Sequence, residues 1–400
     1  MTAGALDGYR VLDFTLAMAG PFATQKLGDM GADVVKVEPL GSGEWHRSRA
    51  AAEVWVRKHN ASFLAFNRNK RSLAIDLKRD EAKAVIADLV RESDVVIQNF
   101  RPGVAARLGI DYESLQEINS KIVYCAMSGY GETGPYVSRP GQDLILQGMS
   151  GATRNIGTRD DPPLPVALFA ADATGGHMAV EGILAALLYR ERHGHGQKVE
   201  VNLFNGILDL QAQELSVYFA SGVANRRTDE PLAHTLIAAP YGFYQTSDGY
   251  IALSMGPISV LGDVLDDDRL RSMTDNDAGT VNRDEIYRIV RGILPTKTSA
   301  EWLELLAENK FWAGPVYDYD DVANDPQVAH NEMIIEIEHP TEGTVRATGI
   351  PIKFSRSPGT IRHHQPAAGE NSKEILGEAG YSAGRISELI AEGIIQQHHD

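Results

Sequence analysis

One carboxylate stands apart from the other charges of the sequence. Asp172 is the only formal charge between Asp161 and Glu181, and it follows an apolar run at the start of a long helix. Asp is a favoured helix N-cap, so the amides and dipole of the helix are expected to keep it ionised. The same properties suit a nucleophile, because the nearby Gly175 and Gly176 leave the backbone open to a ligand or an oxyanion. The residues alone favour the cap and leave the nucleophile as the alternative.

Two short basic segments contain suitable donors for a phosphate group. Residues 67–71 read Asn-Arg-Asn-Lys-Arg just before a predicted strand, and Arg101 and Arg107 flank a Pro-Gly turn after another. Charge pattern alone favours solvated turns. Asparagine, lysine and arginine are also common phosphate donors, and two such segments at one sheet edge favour a polyphosphate ligand.

Strands and helices must alternate to bring these segments together. Apolar runs predict strands at 9–15, 33–38, 72–77, 94–100, 122–127 and 197–204. Helical patterns cover 19–30, 80–91, 112–119, 171–191 and 205–220. This alternation indicates an α/β fold with a Rossmann-like open parallel sheet, which binds ligands at the carboxyl ends of its strands. Those ends carry residues 19–21, 99–103 and 128–131.

The length of 400 residues favours more than one domain. We assign residues 1–220 to a large ligand-binding domain and residues 221–333 to a linker and a smaller α+β domain. A polar stretch at 221–240 separates the two, and a hairpin is predicted at 242–253. Residues 334–400 form a C-terminal segment that opens with a second predicted hairpin.

Composition restricts the class of protein. A net charge of −16 argues against nucleic-acid binding. The single cysteine, Cys125, and the lack of a signal-like start or a long apolar run predict a cytoplasmic protein without a membrane span.

Several catalytic motifs are missing. No G-x-G-x-x-G follows the first strand and no P-loop occurs, which disfavours nicotinamide and nucleotide enzymes. Residues 148–152 resemble a serine nucleophile elbow but lack its final glycine. Histidines occur in close pairs at His193 and His195, His363 and His364, and His398 and His399. Their spacing favours solvated positions over a metal site.

The sequence resembles the class III CoA-transferases, which include formyl-CoA:oxalate and carnitine CoA-transferases. Seven motifs match in order, at residues 11–15 with 19–21, 27–38, 67–72, 99–103, 128–131 with 134–135, 171–175 and 194–198. The match is dense from about residue 8 to residue 215 and thinner beyond.

The resemblance implies a large and a small domain, an interlocked homodimer, and a chain end that returns to the large domain. It aligns Asp172 with the family's catalytic aspartate, which attacks an acyl-CoA to form an aspartyl anhydride and then an aspartyl-CoA thioester. Coenzyme A would enter as the acyl-CoA substrate, a small carboxylic acid would accept it, and no permanent cofactor would be needed. The implied CoA contacts are Met18, Ala19, Asn69, Lys70, Asn99, Phe100, Arg101 and Arg107.

The chain also departs from the formyl-CoA transferases. It has Ser128 where those enzymes have a lysine, and residues 222–262 contain no glycine-run loop. Transfer from formyl-CoA to oxalate is therefore disfavoured.

Two alternative functions remain open. The related α-methylacyl-CoA racemases need a second base to move a proton between two faces of a carbon. They carry a histidine at the position of Gln142, and glutamine cannot take a proton at neutral pH, which favours the transferase. A CoA-binding protein without catalytic activity is the other alternative.

Overall fold

The structure is a computed structural model that describes residues 3–49, 53–224, 226–231, 233–279 and 282–398. Its strands are β1 (Arg10–Asp13), β2 (Asp33–Glu38), β3 (Trp55–Val56), β4 (His59–Asn60), β5 (Lys70–Ile75), β6 (Val95–Gln98), β7 (Val123–Ser128), β8 (Lys198–Asn202), β9 (Gly242–Gln245), β10 (Tyr250–Leu253), β11 (Ala313–Pro315), β12 (Ile334–His339), β13 (Gly343–Thr348) and β14 (Ile395–Gln396).

Its α-helices are α1 (Ala19–Asp29), α2 (Ala61–Phe66), α3 (Asp80–Arg91), α4 (Val104–Leu108), α5 (Tyr112–Ile118), α6 (Asp143–Ser150), α7 (Ala170–His193), α8 (Leu203–Asp209), α9 (Ala212–Ser221), α10 (Ile258–Leu265), α11 (Asp268–Ser272), α12 (Asp275–Gly279), α13 (Arg283–Ile293), α14 (Ser299–Glu308), α15 (Tyr319–Asn324), α16 (Pro326–His330), α17 (Ser372–Glu378) and α18 (Ala383–Ala391). Short 3-10 helices span Trp45–Arg47, Ala152–Arg154 and Leu294–Thr296.

The main sheet has the strand order β14-β5-β2-β1-β6-β7-β8. All its neighbours pair in parallel except β14, which runs antiparallel to β5. Leu12 at the centre faces Val35 on one side and Val96 on the other. The order reverses between β1 and β6, which is where open α/β sheets bind ligands. The predicted parallel α/β sheet is confirmed.

The sequence of helix α3 explains why its position could be predicted. Its apolar residues recur with helical spacing, and Val85, Ile86 and Leu89 are buried in the same core as strands β1 and β6. Asp80 and Glu81 in its first turn and Arg91 in its last complement the helix dipole. The predicted span of 80–91 matches the observed helix.

The chain divides into two units whose bounds differ from those of the predicted domains. The first comprises Met1–Asp143, Ala170–Ile207 and Pro326–Asp400, and the second comprises Leu144–Phe169 and Leu208–Asp325. The chain thus leaves the first unit at residue 144 and re-enters it at 170. A single boundary at residue 220 does not describe this division, because the first unit is discontinuous in sequence. The composition of residues 144–169 gives no sign that they belong to the second unit.

The second unit contains a three-stranded antiparallel sheet in the order β11-β10-β9. The predicted hairpin is present, with Ile251 opposite Tyr244. Both side chains are buried with Trp302 of α14 in a separate apolar core.

The long helix predicted over 205–220 is instead two helices, α8 and α9. A tighter turn closes α8, because the amide of Gln211 donates to the carbonyl of Leu208, 3.1 Å away. Helix α8 also begins earlier than predicted, where the side chain of Asn202 accepts the amide of Asn205 at 2.8 Å.

Buried charges meet at the end of β1. The carboxylate of Asp13 accepts hydrogen bonds from Thr24 at 2.7 Å and from the ammonium of Lys70 at 3.1 Å. Burial alone would raise the pKa of Asp13, but Lys70 and Lys36 lower it to about 2. The ion pair joins β1 to β5, two strands that β2 separates in the sheet.

We expect Asp13→Ala to destabilise the protein by about 3–5 kcal/mol, because Lys70 would keep a buried charge without its counter-ion. The midpoint of thermal unfolding, followed by circular dichroism, measures the effect. Asp80→Ala is the control, since Asp80 forms an exposed pair with Lys83 and should lower the midpoint much less than Asp13→Ala does. Equal unfolding midpoints for the two variants would show that the buried ion pair of Asp13 contributes no more to stability than the exposed pair of Asp80.

Candidate active site

Two loops meet where the strand order of the main sheet reverses. The side-chain amide of Asn99, after β6, donates to the carbonyl of Leu16 and accepts its N–H, both at 2.8 Å. The next residue, Ala17, has φ of 65° and donates its amide to the buried carboxylate of Glu44 at 2.8 Å. A non-glycine residue in this conformation is strained unless its surroundings hold it. The loop that leads to Met18 and Ala19 is therefore fixed from two sides.

A cavity opens beside this junction. It is lined by the residues after β6 and β7 and by the segment before α6, namely Asn99–Pro102, Ser128–Gly131, Val137 and 139–142. Arg101 is exposed there, and the guanidinium of Arg139 lies 4.0 Å from the ring centre of Tyr136. Two arginines and several backbone amides make this cavity suitable for an anionic ligand.

The predicted CoA contacts fall into two groups. Met18, Ala19, Asn99, Phe100 and Arg101 lie at or next to the carboxyl ends of β1 and β6. Arg107 is exposed on the following helix, α4. Neither Arg101 nor Arg107 forms an ion pair with any residue that the structure describes, so both guanidiniums are available to a ligand.

Asn69 and Lys70 form the second group, and both are buried. The ammonium of Lys70 donates to Asp13, to the carbonyl of Pro21 and to the side chain of Asn67. The side-chain amide of Asn69 donates to Asp29 and to the carbonyl of Thr360, both at 2.8 Å. All the side-chain hydrogens of both residues are thus used inside the protein.

The interpretation of residues 67–71 as a solvated turn is therefore wrong. All five residues are buried. Arg68 pairs with Asp29, and the side-chain oxygen of Asn69 accepts the amides of Arg362 and His363. The cluster thereby ties the C-terminal segment to the first unit. Charge composition did not reveal this, because buried ion pairs and solvated charges use the same residues.

Helix α7 places Asp172 in its first turn but not at its cap. The helix begins at Ala170, and the amides of Ala171 and Asp172 both donate to Oδ1 of Asp143, at 2.7 and 3.1 Å. Asp143 is buried, with 5% of its surface exposed. The capping role predicted for Asp172 thus belongs to Asp143, which the sequence reasoning missed. Aspartate is a common capping residue, but nothing in the sequence shows that positions 143 and 171 meet.

The Asp172 carboxylate is in a setting that disfavours its charge. It is partly buried, and no residue in the described part of the chain donates a hydrogen bond to it. Burial, together with repulsion from Asp143, raises the pKa of Asp172 to about 7. The expectation that the helix keeps this carboxylate ionised is therefore wrong. With this pKa, the protonated and the ionised forms of Asp172 are both present near neutral pH.

The two glycines after Asp172 allow helices to pack closely. A Cβ at Gly176 would lie 2.8 Å from the Phe22 ring and 2.9 Å from the carbonyl of Ala19, both on α1. A Cβ at Gly175 would lie 2.3 Å from the side chain of Leu203. What approaches the backbone here is protein, so the predicted open space for a ligand at these glycines is not observed. Both amides also lie beyond the unpaired first turn of α7.

The histidine pairs have different surroundings. His193 and His195 are exposed, whereas His364 accepts or donates a hydrogen bond with Glu370 at 2.9 Å and packs 4.8 Å from the ring of His339. His399 lies outside the described residues. Over the described ranges, no three His, Cys, Asp or Glu side chains are grouped so as to hold a metal ion. None of the helices in those ranges combines the length and the apolarity of a membrane span.

A doubly wound parallel sheet with an arginine-containing cavity at its switch point is typical of α/β proteins that bind an anionic ligand at that point. Comparison with known proteins narrows the class. The family model described as CoA-transferase family III matches residues 6–372. The chain belongs to this family, and the resemblance seen in the sequence is confirmed.

Individual relatives agree with the family. The chain is 32% identical to succinyl-CoA:glutarate CoA-transferase of Mus musculus over 403 residues, covering 98% of this chain and 91% of the relative. It is 32% identical to formyl-CoA:oxalate CoA-transferase of Rhodopseudomonas palustris, with 97% of both chains covered. A crystal structure of a CaiB/BaiF family protein from Brucella suis matches with a TM-score of 0.84 and 32% identity, over 95% of this chain and 100% of that one.

Asp172→Asn is expected to stabilise the protein at pH 8 more than at pH 5. A carboxyl whose pKa is raised to about 7 in the folded state binds a proton more tightly there than in the unfolded chain, so its contribution to stability is lost as pH rises towards 7 and above. The amide mimics the protonated form and removes this loss, which we expect to be on the order of 1 kcal/mol at pH 8.

Thermal melting of both proteins across this pH range measures the effect. Asp160→Asn, at an exposed site, should match the native protein at every pH. An Asp172→Asn variant that follows the native curve at pH 8 would show that Asp172 is not held in a charge-disfavouring site.

Proposed function

We propose that the protein is an acyl-CoA:carboxylate CoA-transferase whose nucleophile is Asp172. The observation that carries the proposal is the Asp172 carboxylate itself: partly buried, without a hydrogen-bond donor in the described part of the chain, and with a pKa of about 7. Such a carboxylate is more nucleophilic when ionised than an ordinary aspartate, since nucleophilicity rises with basicity. Membership of CoA-transferase family III supports the same chemistry.

The reaction follows from the chemistry of a carboxylate and a thioester. An oxygen of Asp172 attacks the carbonyl carbon of the acyl-CoA, the carbon–sulfur bond breaks, and the CoA thiolate leaves a mixed anhydride. The thiolate then attacks the aspartyl carbonyl, which releases the donor acid and forms an aspartyl-CoA thioester. The acceptor carboxylate reverses the two steps to give the new acyl-CoA and free Asp172. One thioester and one carboxylate are consumed and one of each is formed, so no permanent cofactor is required.

Gln142 favours transfer over racemisation. It lines the cavity and precedes Asp143, the residue that contacts the amide of Asp172. A base for proton abstraction on the opposite face of a substrate would be expected near this point, and glutamine cannot supply it. Exchange of the substrate's α-hydrogen for solvent deuterium would favour the racemase instead.

CoA is proposed to bind at the switch point of the sheet, against Met18, Ala19, Asn99, Phe100, Arg101 and Arg107. The two arginines are available to its phosphates. Asn69 and Lys70 would support CoA binding indirectly, since their donors are used to hold β5 against β1 and the C-terminal segment.

The substrates are proposed to be a short acyl-CoA donor and a small carboxylic acid. The named relatives act on succinyl-CoA and glutarate or on formyl-CoA and oxalate. Ser128, in the place of the lysine of formyl-CoA transferases, disfavours the formyl-CoA and oxalate type. We further propose a cytoplasmic homodimer.

Succinyl-CoA should label Asp172. We expect hydroxylamine to trap the labelled enzyme as a hydroxamate at this residue, and Asp172→Ala to lose both the label and transfer to glutarate, oxalate and related acids. Mass spectrometry of the peptide and of the acyl-CoA products gives both readouts. The exposed Asp160→Ala serves as control and should keep both activities. Full transfer by Asp172→Ala would refute the nucleophile, and binding of succinyl-CoA without label would indicate a CoA-binding protein.

Arg101→Ala should raise the KM for acyl-CoA by about 10-fold or more, because a charge-assisted hydrogen bond to phosphate contributes about 1.5–3 kcal/mol. The kcat should change little, since the phosphates are remote from the thioester. Arg91→Ala is the control. Arg91 ends α3 and precedes β6, so it lies near the amino end of that strand rather than the carboxyl end. An unchanged KM for Arg101→Ala would place the phosphates elsewhere. Steady-state kinetics with succinyl-CoA provides the measurement.

A further inference from the structure

Asp143 connects the nucleophile to the main sheet. Its Oδ1 accepts two amides of α7, one of which belongs to Asp172 itself. Hydrogen bonds to an ionised acceptor are stronger than neutral ones, and this acceptor is 5% exposed. The position of the Asp143 carboxylate therefore fixes the backbone from which the Asp172 side chain projects.

Asp143 is itself held from the other side. Two residues before it, Gly141 is in direct backbone contact with Gly129, and a Cβ on either glycine would lie 2.4–2.5 Å from the Cα of the other. Gly129 directly follows β7, and its carbonyl accepts the amide of Phe204 at 3.0 Å. An uninterrupted series of contacts thus runs from β7 through Gly129, Gly141 and Asp143 to Asp172.

We propose that Asp143 is a positioning residue for the transfer reaction, whose buried carboxylate holds the first turn of α7 so that Asp172 faces the acyl-CoA thioester. This role rests on the proposed function of Asp172. It assigns to Asp143 a task beyond capping, because the capped amide is that of the nucleophile.

The charge of Asp143 has a second consequence for the reaction. Burial is the first cause of the raised pKa of Asp172, and repulsion of its ionised form by Asp143 is the second. When Asp172 attacks the thioester, its negative charge passes to the departing thiolate and the anhydride is neutral. The repulsion is relieved in this step, so Asp143 destabilises the free nucleophile relative to the covalent intermediate.

Two variants separate the hydrogen bonds from the charge. Asp143→Asn keeps an oxygen that can accept the amides of Ala171 and Asp172 but removes the charge. Asp143→Ala removes both. The matched control is Asp111→Asn, since Asp111 also caps a helix of the first unit by accepting the amide of Ser114 at 3.1 Å. The readout is the rate at which excess succinyl-CoA labels Asp172, measured by peptide mass spectrometry from pH 5 to pH 9.

The native enzyme should show a labelling rate that rises with pH through about 7, as Asp172 ionises. Asp143→Asn should move this midpoint down by about one pH unit. It should also label more slowly than the native enzyme at pH 9, because it lacks the repulsion that destabilises the free nucleophile. Asp143→Ala should label about 100-fold more slowly at every pH, because a nucleophile displaced by about 1 Å loses that much rate. Asp111→Asn should keep the native pH profile of labelling. If Asp143 had only a structural role, Asp143→Asn would keep the native profile as well.

A native midpoint in Asp143→Asn, or a native rate in Asp143→Ala, would overturn the proposal. If Asp143→Ala does not give a cooperative melting transition, the Asn variant decides alone. Water-soluble carbodiimide, which modifies protonated carboxyls, supplies a readout independent of turnover: its reaction with Asp172 at pH 7 should decrease in Asp143→Asn, and an unchanged reaction would count against the proposal. Failure of the native enzyme to become labelled would instead refute the nucleophile.

Discussion

The buried charge of Asp13 is the constraint from which much of the first unit follows. A carboxylate at the carboxyl end of a central strand is far from water, so its counter-charges must be supplied by the neighbouring strands. The surrounding buried groups are three carboxylates and three cations: Asp13, Glu38, Glu44, Lys36, Arg47 and Lys70. This balance explains why Lys70, one residue of the basic segment 67–71, is buried in the protein rather than exposed on its surface.

The same network shapes the loop at the switch point. Lys36 lies 3.0 Å from Glu44, and Glu44 in turn accepts the amide of Ala17. The strained conformation of Ala17 persists because a buried, charge-paired group holds it. A loop already held in one conformation loses little entropy when a ligand binds, which favours affinity. The buried ion pairs thus contribute to the proposed CoA site without facing the ligand.

Local sequence patterns predicted most of the strands and helices. The division into units and the surroundings of Asp172 depend on contacts between residues far apart in the sequence. Strand β2 and helix α3 occur as predicted, because apolar runs and helical periodicity depend on neighbouring residues. The detour of residues 144–169 out of the first unit was not predicted, since it runs through an ordinary stretch of chain. The isolation of Asp172 in the sequence drew attention to a carboxylate that is partly buried in the structure. Its surroundings depended on Asp143, 29 positions earlier, and no local signal joins the two.

Cap and nucleophile appeared as alternative roles for one aspartate, whereas in the structure Asp143 accepts the amides at the helix start and Asp172 is left as the proposed nucleophile. A carboxylate that accepts backbone amides at a helix start uses its oxygens there, whereas a nucleophile must keep an oxygen free for the substrate. Asp143 takes the amides, and its charge disfavours ionisation of the carboxylate beside it. Paired acids whose environments differ in this way commonly divide their tasks in catalysis. The high basicity of Asp172 therefore comes first from its burial and second from the Asp143 carboxylate at the start of its helix. A single aspartate in the cap position would have been more acidic and a weaker nucleophile.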